Sequence, residues 1–503
     1  MHEPGVPRSA RGAAPEDSAQ SAPSPDHPTS RRARGRYLEV AAEVASEVRP
    51  GTGRAYLAAL VELADLGGHL GRPRTSLYRL WPSQHDFWSD LTLHLVFQND
   101  YQKPDERLPW DESRQTVDLP PQRDPVADVE VLRVALTFIQ DAVLDDPWVQ
   151  VRASLLGYAD VPGVAEARRQ VEDRRIRHLA ARIAAILSLG GRAIAPPLRA
   201  RDAAVALWCL GDGFAVLNRS QPAIGARTVP VDDGLGPRPW GLLAYAVRAI
   251  LAETSAPGRE PVPDEPAPGP SPSALYAAVS ARWTPAQRDA LDAATTLFLE
   301  GTRGRSLAGD GDEIRSLGHV TAAAVARAAG VSRRSIYNHW SSSDELRLDL
   351  LRWLLAAERR RYVTALDRVL AAPPTEGTDR AGAVVAALLV HPSPGRLPIP
   401  HLPLAFLAEA DHPAVRATLE RGYAETVAAV ATRVERLWPR AERPSGGELD
   451  AEALAVVLVS LATGANRLLR IDPDALRGPG SARRPSVLVA ALQGLLDHSP
   501  GTG

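Results

Sequence analysis

Between His319 and Leu346 the chain reads HVTAAAVARAAGVSRRSIYNHWSSSDEL, a run whose apolar positions allow little besides two short helices folded over one small core. Val320, Val325, Ala329, Val331, Ile336 and Trp340 recur at helical spacing, and the rhythm breaks only at Gly330. Glycine adopts positive φ without steric cost, so Gly330 marks the turn, while Thr321 and Ser332 can cap the first and second helices. Arg327, Arg333 and Arg334 lie between His319 and Trp340 with no acid among them. The exposed face of the second helix can therefore approach phosphates and base edges without like-charge repulsion.

This segment resembles the DNA-binding domain of the TetR family of bacterial repressors. The likeness rests on Ala326, the turn Ala329-Gly330-Val331-Ser332, the run Tyr337-Asn338-His339-Trp340, the serines Ser341 to Ser343, and Leu346. It implies that Thr321, Tyr337 and His339 contact backbone phosphates and that Arg333, Arg334 and Ser335 face the major groove. Arg327, Ser332 and Asn338 complete the expected DNA-facing set. Ser343 stands where the family often has lysine, which removes one phosphate contact.

A second copy lies upstream, at Val61 to Phe87, VELADLGGHLGRPRTSLYRLWPSQHDF. Leu77 falls on Ile336 and Gly71 on Gly330, both 259 residues apart. This copy is more worn: Glu62 replaces Thr321, Arg72 replaces Val331, Pro73 replaces Ser332, Leu80 replaces His339 and Gln84 sits where Ser343 does. Gly67, inside its first helix, is expected to cost about 1 kcal/mol relative to alanine. Arg72, Arg74, Thr75, Ser76, Tyr78 and Arg79 form the corresponding DNA-facing set, with no acid between Leu70 and Trp81.

The duplication reaches past these heads. Ala159 to Val164, ADVPGV, recurs as Ala410 to Val415, ADHPAV, and Leu210 to Pro222 recurs as Leu461 to Pro473, both at a separation of 251. The chain therefore reads as two TetR-like units in tandem, all-α, each a helix-turn-helix head followed by a helical ligand-binding and dimerisation body. The expected division is a disordered tail at 1–30, a degenerate head at 31–100, a first body at 101–253, a proline-rich linker at 254–273, a second head at 274–351 and a second body at 352–500. A chain of 503 residues is long enough for two such lobes.

Ala-, Leu-, Arg- and Glu-rich stretches at Val164 to Leu189, Asp202 to Leu217, Val415 to Leu437 and Glu448 to Arg470 carry helical periodicity, and sustained period-two strands are absent. In the family resembled, the last two long helices of each body form a four-helix bundle between subunits. The matching segments are Asp202 to Leu217 and Trp240 to Glu253, then Glu448 to Arg470 and Pro485 to Asp497, so one chain holds both pairs and a covalent pseudo-dimer is expected, with a homodimer of the tandem chain as the other arrangement. Trp148, Tyr158 and Trp208 in the first body, and Phe406, Tyr423 and Trp438 in the second, are the candidate lining of a small-molecule effector pocket; aromatics at this spacing also serve as plain core.

A formal net charge of −2 requires that DNA affinity come from local patches. Arg31, Arg32, Arg34 and Arg36 form one, read as an arm preceding the upstream head or as a solvated tail. Cys209, the one cysteine, rules out an internal disulfide and a thiolate zinc cluster and reads as a packed core thiol. His391 and His401 read as surface histidines in a proline-rich loop. No metal-ligand spacing, phosphate loop or nucleophile elbow is found, and no apolar run reads as a signal or membrane segment. The expectation is a cytoplasmic, non-enzymatic, cofactor-free transcriptional regulator, taken as a repressor because repression is the commoner behaviour in the family resembled, whose partners are a double-stranded DNA operator and a small-molecule effector. The alternative is a TetR-fold ligand- or protein-binding module with weakened or lost DNA binding.

Overall fold

The computed structural model describes residues 28–46, 63–101, most of 133–158, and 162–189, 191–232, 236–258, 272–301, 314, 316–372, 378–390, 398–439, 449–476 and 486–497. The upstream half runs α1 (Pro28–Ser46), α2 (Leu63–His69), α3 (Arg74–Tyr78), α4 (Gln84–Tyr101), α5 (Val149–Ser154), a 3-10 turn (Leu155–Tyr158), α6 (Pro162–Leu189), β1 (Arg192–Ile194), α7 (Ala200–Ser220), α8 (Pro222–Gly225), β2 (Thr228–Asp232), β3 (Pro237–Gly241), α9 (Leu242–Thr254) and β4 (Ser255–Pro257). The downstream half runs α10 (Pro272–Ser280), α11 (Pro285–Gly301), α12 (Ala322–Ala329), α13 (Arg333–Tyr337), α14 (Ser343–Ala371), α15 (Thr378–Leu388), a 3-10 segment (Ile399–Glu409), α16 (Pro413–Leu437), α17 (Ala451–Ile471) and α18 (Ser486–Asp497).

The chain is mostly helical, and among the described residues the expectation of an all-helical fold is corrected by four short strands. β1 pairs antiparallel with β4, and β2 with β3. These are two-stranded ribbons of three and five residues. They are too short for a period-two signal, and Pro230, Pro237 and Pro239 are tolerated because each ribbon is all edge. Two boundaries move as a result. Trp240 lies in β3, so the helix expected from it starts at Leu242, and the first residues of the expected linker, Ser255 to Pro257, are strand. Residues 259–271 of that linker and 1–27 of the expected tail lie outside the described residues; 28–30 begin α1.

Helices α7 and α17 form the centre, and they pack on each other, with α9 against α18 beside them. Every residue of α17 from Ala453 to Ile471 is buried, as an all-round apolar helix requires. It is long and apolar enough to cross a membrane, contrary to the sequence reading, but its apolar window is wholly buried inside the protein. The α7–α17 crossing is close because glycines face it from both sides. A Cβ on Gly213 would stand 1.8 Å from the Ser460 carbonyl oxygen, and one on Gly464 would stand 1.9 Å from that of Cys209. Gly213 and Gly464 are 251 residues apart, as are Cys209 and Ser460.

Charges cross the same seam. Arg467 pairs with Asp212 at 2.5 Å, and Asp212 also takes Arg152 at 3.1 Å, all three buried. Removing one partner of such a buried set costs about 3–5 kcal/mol. Arg219 meets Asp411 at 2.7 Å, and Arg227 meets Asp450 and Glu452 at 2.8 and 2.9 Å. Cys209 is buried beside this seam, and burial pushes its thiol far above the ordinary range. His401 is not a surface residue: Pro398, Pro400 and Pro403 shape the 3-10 segment around it, and it is 4 % exposed. Burial, then Arg470, Arg467 and Arg361, press its pKa down to about 3. His391 lies outside the described residues.

The first helices do not stay with their own halves. Helix α1, expected to open the upstream head at 31–100, packs on α12 and α14, while α10 and α11 pack on α4, and α11 also on α2. Leu38, Ala41 and Ala42 of α1 are buried in the same apolar cluster as Val320, Val325 and Ile336. Ala290, Leu291 and Ala294 of α11 join Leu63, Leu77 and Trp81. The basic stretch at Arg32 to Arg36 therefore belongs to a helix on the downstream head, not to an arm of the upstream one.

Candidate nucleic-acid interface

The downstream reader is α12, the turn and α13. Thr321 accepts the Ala324 amide at 3.1 Å, and Ser332 accepts the Ser335 amide at 3.2 Å, so each helix start has a hydroxyl cap. Gly330 closes α12 at φ 67°, and the next amide, Val331, returns to the Ala326 carbonyl at 2.9 Å. Ser342 then caps α14 through the Glu345 amide at 3.1 Å, while the Glu345 carboxylate accepts the amide of the preceding residue, Ser341, at 2.7 Å. Three caps in 22 residues fix the angle of a five-residue helix that could not persist alone.

Burial divides the reader into two faces. Val320, Val325, Ala326, Ile336, Trp340 and Leu346 are buried beneath it, with Val331 half-buried against them. Arg327, Ser332, Arg333, Arg334 and Asn338 are exposed, as is Tyr337 at 43 %. The Arg333 guanidinium lies 6.0 Å from the Tyr337 ring centroid, which lends the arginine an apolar support. Thr321, Ser335 and His339 are half-buried at the margin of this face. Partial burial, then the neighbouring Arg34, hold His339 below its ordinary pKa, so it is neutral at pH 7. The expected DNA-facing residues thus come together on one surface, although Ser332 spends its oxygen on the cap.

The upstream segment, expected as a second copy, has a similar frame. Gly71 takes φ 60°, and Leu77, Trp81 and Phe87 are buried beneath the turn. Arg72, Arg74, Thr75 and Arg79 are exposed, with Ser76 and Tyr78 half-buried. The finish differs. Pro73 caps α3 with no side-chain bond, the Ser76 hydroxyl donates to the Pro73 carbonyl at 2.7 Å, and Arg74 donates to the Tyr78 hydroxyl at 3.0 Å. Gly67 has a use that its helix position hid: a Cβ there would stand 3.0 Å from the Arg72 carbonyl oxygen. Gln84, at the place of Ser343, accepts the Leu63 amide at 3.0 Å and so ties α4 to α2.

Residues 315–350 match the family model of the bacterial regulatory proteins, tetR family. The match spans the turn, both helices of the downstream reader and the start of α14, and it supports a DNA-binding helix-turn-helix that regulates transcription. No curated protein matches the chain.

Away from this tetR-type reader, the six aromatic candidates are not gathered at one place. Trp148 is buried against the upstream head, Phe406 and Tyr423 are buried in the larger core, and Trp438 is half-buried. Trp208 is half-buried with the Arg152 and Arg175 guanidinium groups 5.9 and 5.8 Å from its ring. Tyr158 ends the 3-10 turn, and its side chain lies outside what is described. A cleft of about 210 Å³ opens elsewhere, lined by Leu144, Asn218, Arg219 and Pro222 from one half and Ala410, Asp411 and Arg416 from the other. Sequence reasoning missed it because its walls meet only when the halves pack, although both walls fall in or beside the repeated segments.

Proposed function

We propose that this chain is a sequence-specific regulator of repressor type, in which two TetR-like units form a covalent pseudo-dimer and present two unlike heads to an asymmetric operator. The observation that carries the reading of DNA is the capped α13, apolar beneath and bearing Arg333, Arg334, Tyr337 and Asn338 on its open face. Arginine pairs with guanine edges in the major groove, and the tyrosine hydroxyl with phosphate. Support for the pseudo-dimer is the reciprocal glycine contact of α7 and α17, at the separation of 251 that also relates the repeated sequence segments.

A small-molecule effector fits this reading through the cleft between the halves. Arg219, Asp411 and Arg416 give that cleft both charges, and a ligand held by both walls favours one relative placement of the bodies over others. We place the protein in the cytoplasm, with no enzymatic activity and no cofactor. A second reading, a binding module with weakened DNA affinity, is favoured by one observation: α3 has no hydroxyl cap.

Selection of bound sites from a random duplex library with the full chain, together with its solution mass, tests the proposal. The expected result is a two-part asymmetric site bound by one chain. A palindromic site bound by two chains overturns the pseudo-dimer, and no enriched site at low salt overturns the regulator in favour of the binding module.

A further inference from the structure

We propose that the two readers are built crosswise, each completed by the first helix of the other half, so that Arg32 and Arg36 of the N-terminal helix bind phosphates of the downstream half-site. This rests on the DNA-reading function above. The crossing is seen twice, with the same device. Asp349 accepts the Trp340 indole N–H of its own head at 3.0 Å and the Nε–H of Arg34, from α1, at 2.7 Å. Asp90 accepts the Trp81 indole N–H of its own head at 2.9 Å and an N–H of Arg282, which follows α10, at 2.5 Å.

Each aspartate thus ties the buried tryptophan of one reader to an arginine from the other half. Further contacts agree. The Tyr37 ring lies 5.4 Å from that of His339, and the Arg34 guanidinium lies 5.3 Å from the Trp340 ring. In the reciprocal pair, the Tyr276 hydroxyl is 3.2 Å from the His94 ring, and Gln287 donates to the Leu80 carbonyl at 3.0 Å.

The chemistry of α1 then points outward to DNA. Arg34 is engaged, but Arg32 and Arg36 are exposed, and no acid among the described residues holds either. Four residues apart, they share one helix face, while Arg34 and Tyr37, which meet the reader at Trp340 and His339, project from the other side of the same turns. Two like charges at that spacing repel unless an anion lies across them, and a phosphate backbone past α13 supplies a row of anions.

The test uses the full chain, with half-sites assigned by the footprint lost in Arg334→Ala. Replacing both Arg32 and Arg36 by alanine is expected to lower affinity about tenfold, to erase phosphate protection at the downstream half-site alone, and to reduce the salt slope by about 2. The crossing itself is read without DNA, by thermal melting of Arg34→Asp, Asp349→Arg and the double variant. The double variant is expected to melt above the sum of the single effects. Additive melting, or protection lost at the upstream half-site, overturns the proposal. Coupled melting in a chain that protects no DNA overturns the phosphate contacts and the regulator reading together, while leaving the crosswise build standing.

Discussion

At the downstream turn Ser332 accepts the Ser335 amide and Gly330 sits at φ 67°; at the upstream turn Gly71 sits at φ 60°, yet Pro73 offers no side-chain oxygen. Both heads bury a tryptophan whose indole donates to an aspartate nine residues on, and both borrow a first helix. They part at caps, at His339 against Leu80, and at the residues that face outward. The positions that hold a helix-turn-helix in shape, the turn glycine and the buried tryptophan, are thus separable from the caps and outward-facing side chains, which differ between the two segments.

The largest expected effect tests whether the bodies hold the heads together. Gly464→Val places a branched side chain where the Cys209 carbonyl already stands, and it is expected to destabilise the chain by about 3 kcal/mol or more. Chemical denaturation measures it, and a two-part footprint is expected to dissolve into separate weak ones. An unchanged denaturation midpoint would mean that α7 and α17 do not cross at these glycines.

Arg334→Ala comes next, with an expected loss of roughly 1–3 kcal/mol in affinity and relaxed base preference at the downstream half-site. The joint change Arg72→Ala with Arg74→Ala is expected to cost less, because Arg74 is already bonded to Tyr78. Quantitative footprinting on both half-sites compares them, and equal losses would erase the contrast between the heads. The caps give a smaller, opposite pair. Ser332→Ala is expected to cost about 1 kcal/mol of stability, whereas Pro73→Ser, which supplies the missing hydroxyl upstream, is expected to add a few tenths or more. Thermal melting of both variants reads the two signs, and the same sign in both would mean that caps do not distinguish the heads.

Much of the downstream reader was legible because its signals are local. Thr321 and Ser332 each cap an amide three residues on, the amide after Gly330 returns to Ala326, and the apolar residues from Val320 to Trp340 recur at helical spacing, so local sequence alone carries them. The main body helices were legible for the same reason. The crossing of first helices was not, since α1 and α11 each offer an apolar face that would suit either head, and chain order suggests the nearer one. His401 misled because prolines around it look like a surface loop, whereas they shape a buried 3-10 segment. The cleft at Asn218 and Asp411 was invisible because its walls lie about 190 residues apart, farther than any periodicity reaches.

The smallest expected effect is also the one that only one head can show. Burial, then Arg34, hold His339 below the ordinary histidine value of 6.5, so it is neutral when folded at pH 7. The folded state therefore binds a proton less readily than the unfolded one, and the stability this contributes, present above pH 6.5, is lost as pH falls through the lowered folded value. DNA reverses the sign for binding. A phosphate beside the ring stabilises the imidazolium, so affinity at the downstream half-site is expected to rise roughly threefold as pH falls from 7 to 6, while the chain itself grows less stable. The upstream half-site, with Leu80 at that place, is expected to stay flat. Titrating both half-sites across that range, with His339→Gln as the control that removes the slope, decides whether the ring meets phosphate; a downstream affinity that does not move with pH, or that moves equally in the glutamine variant, would show that it does not.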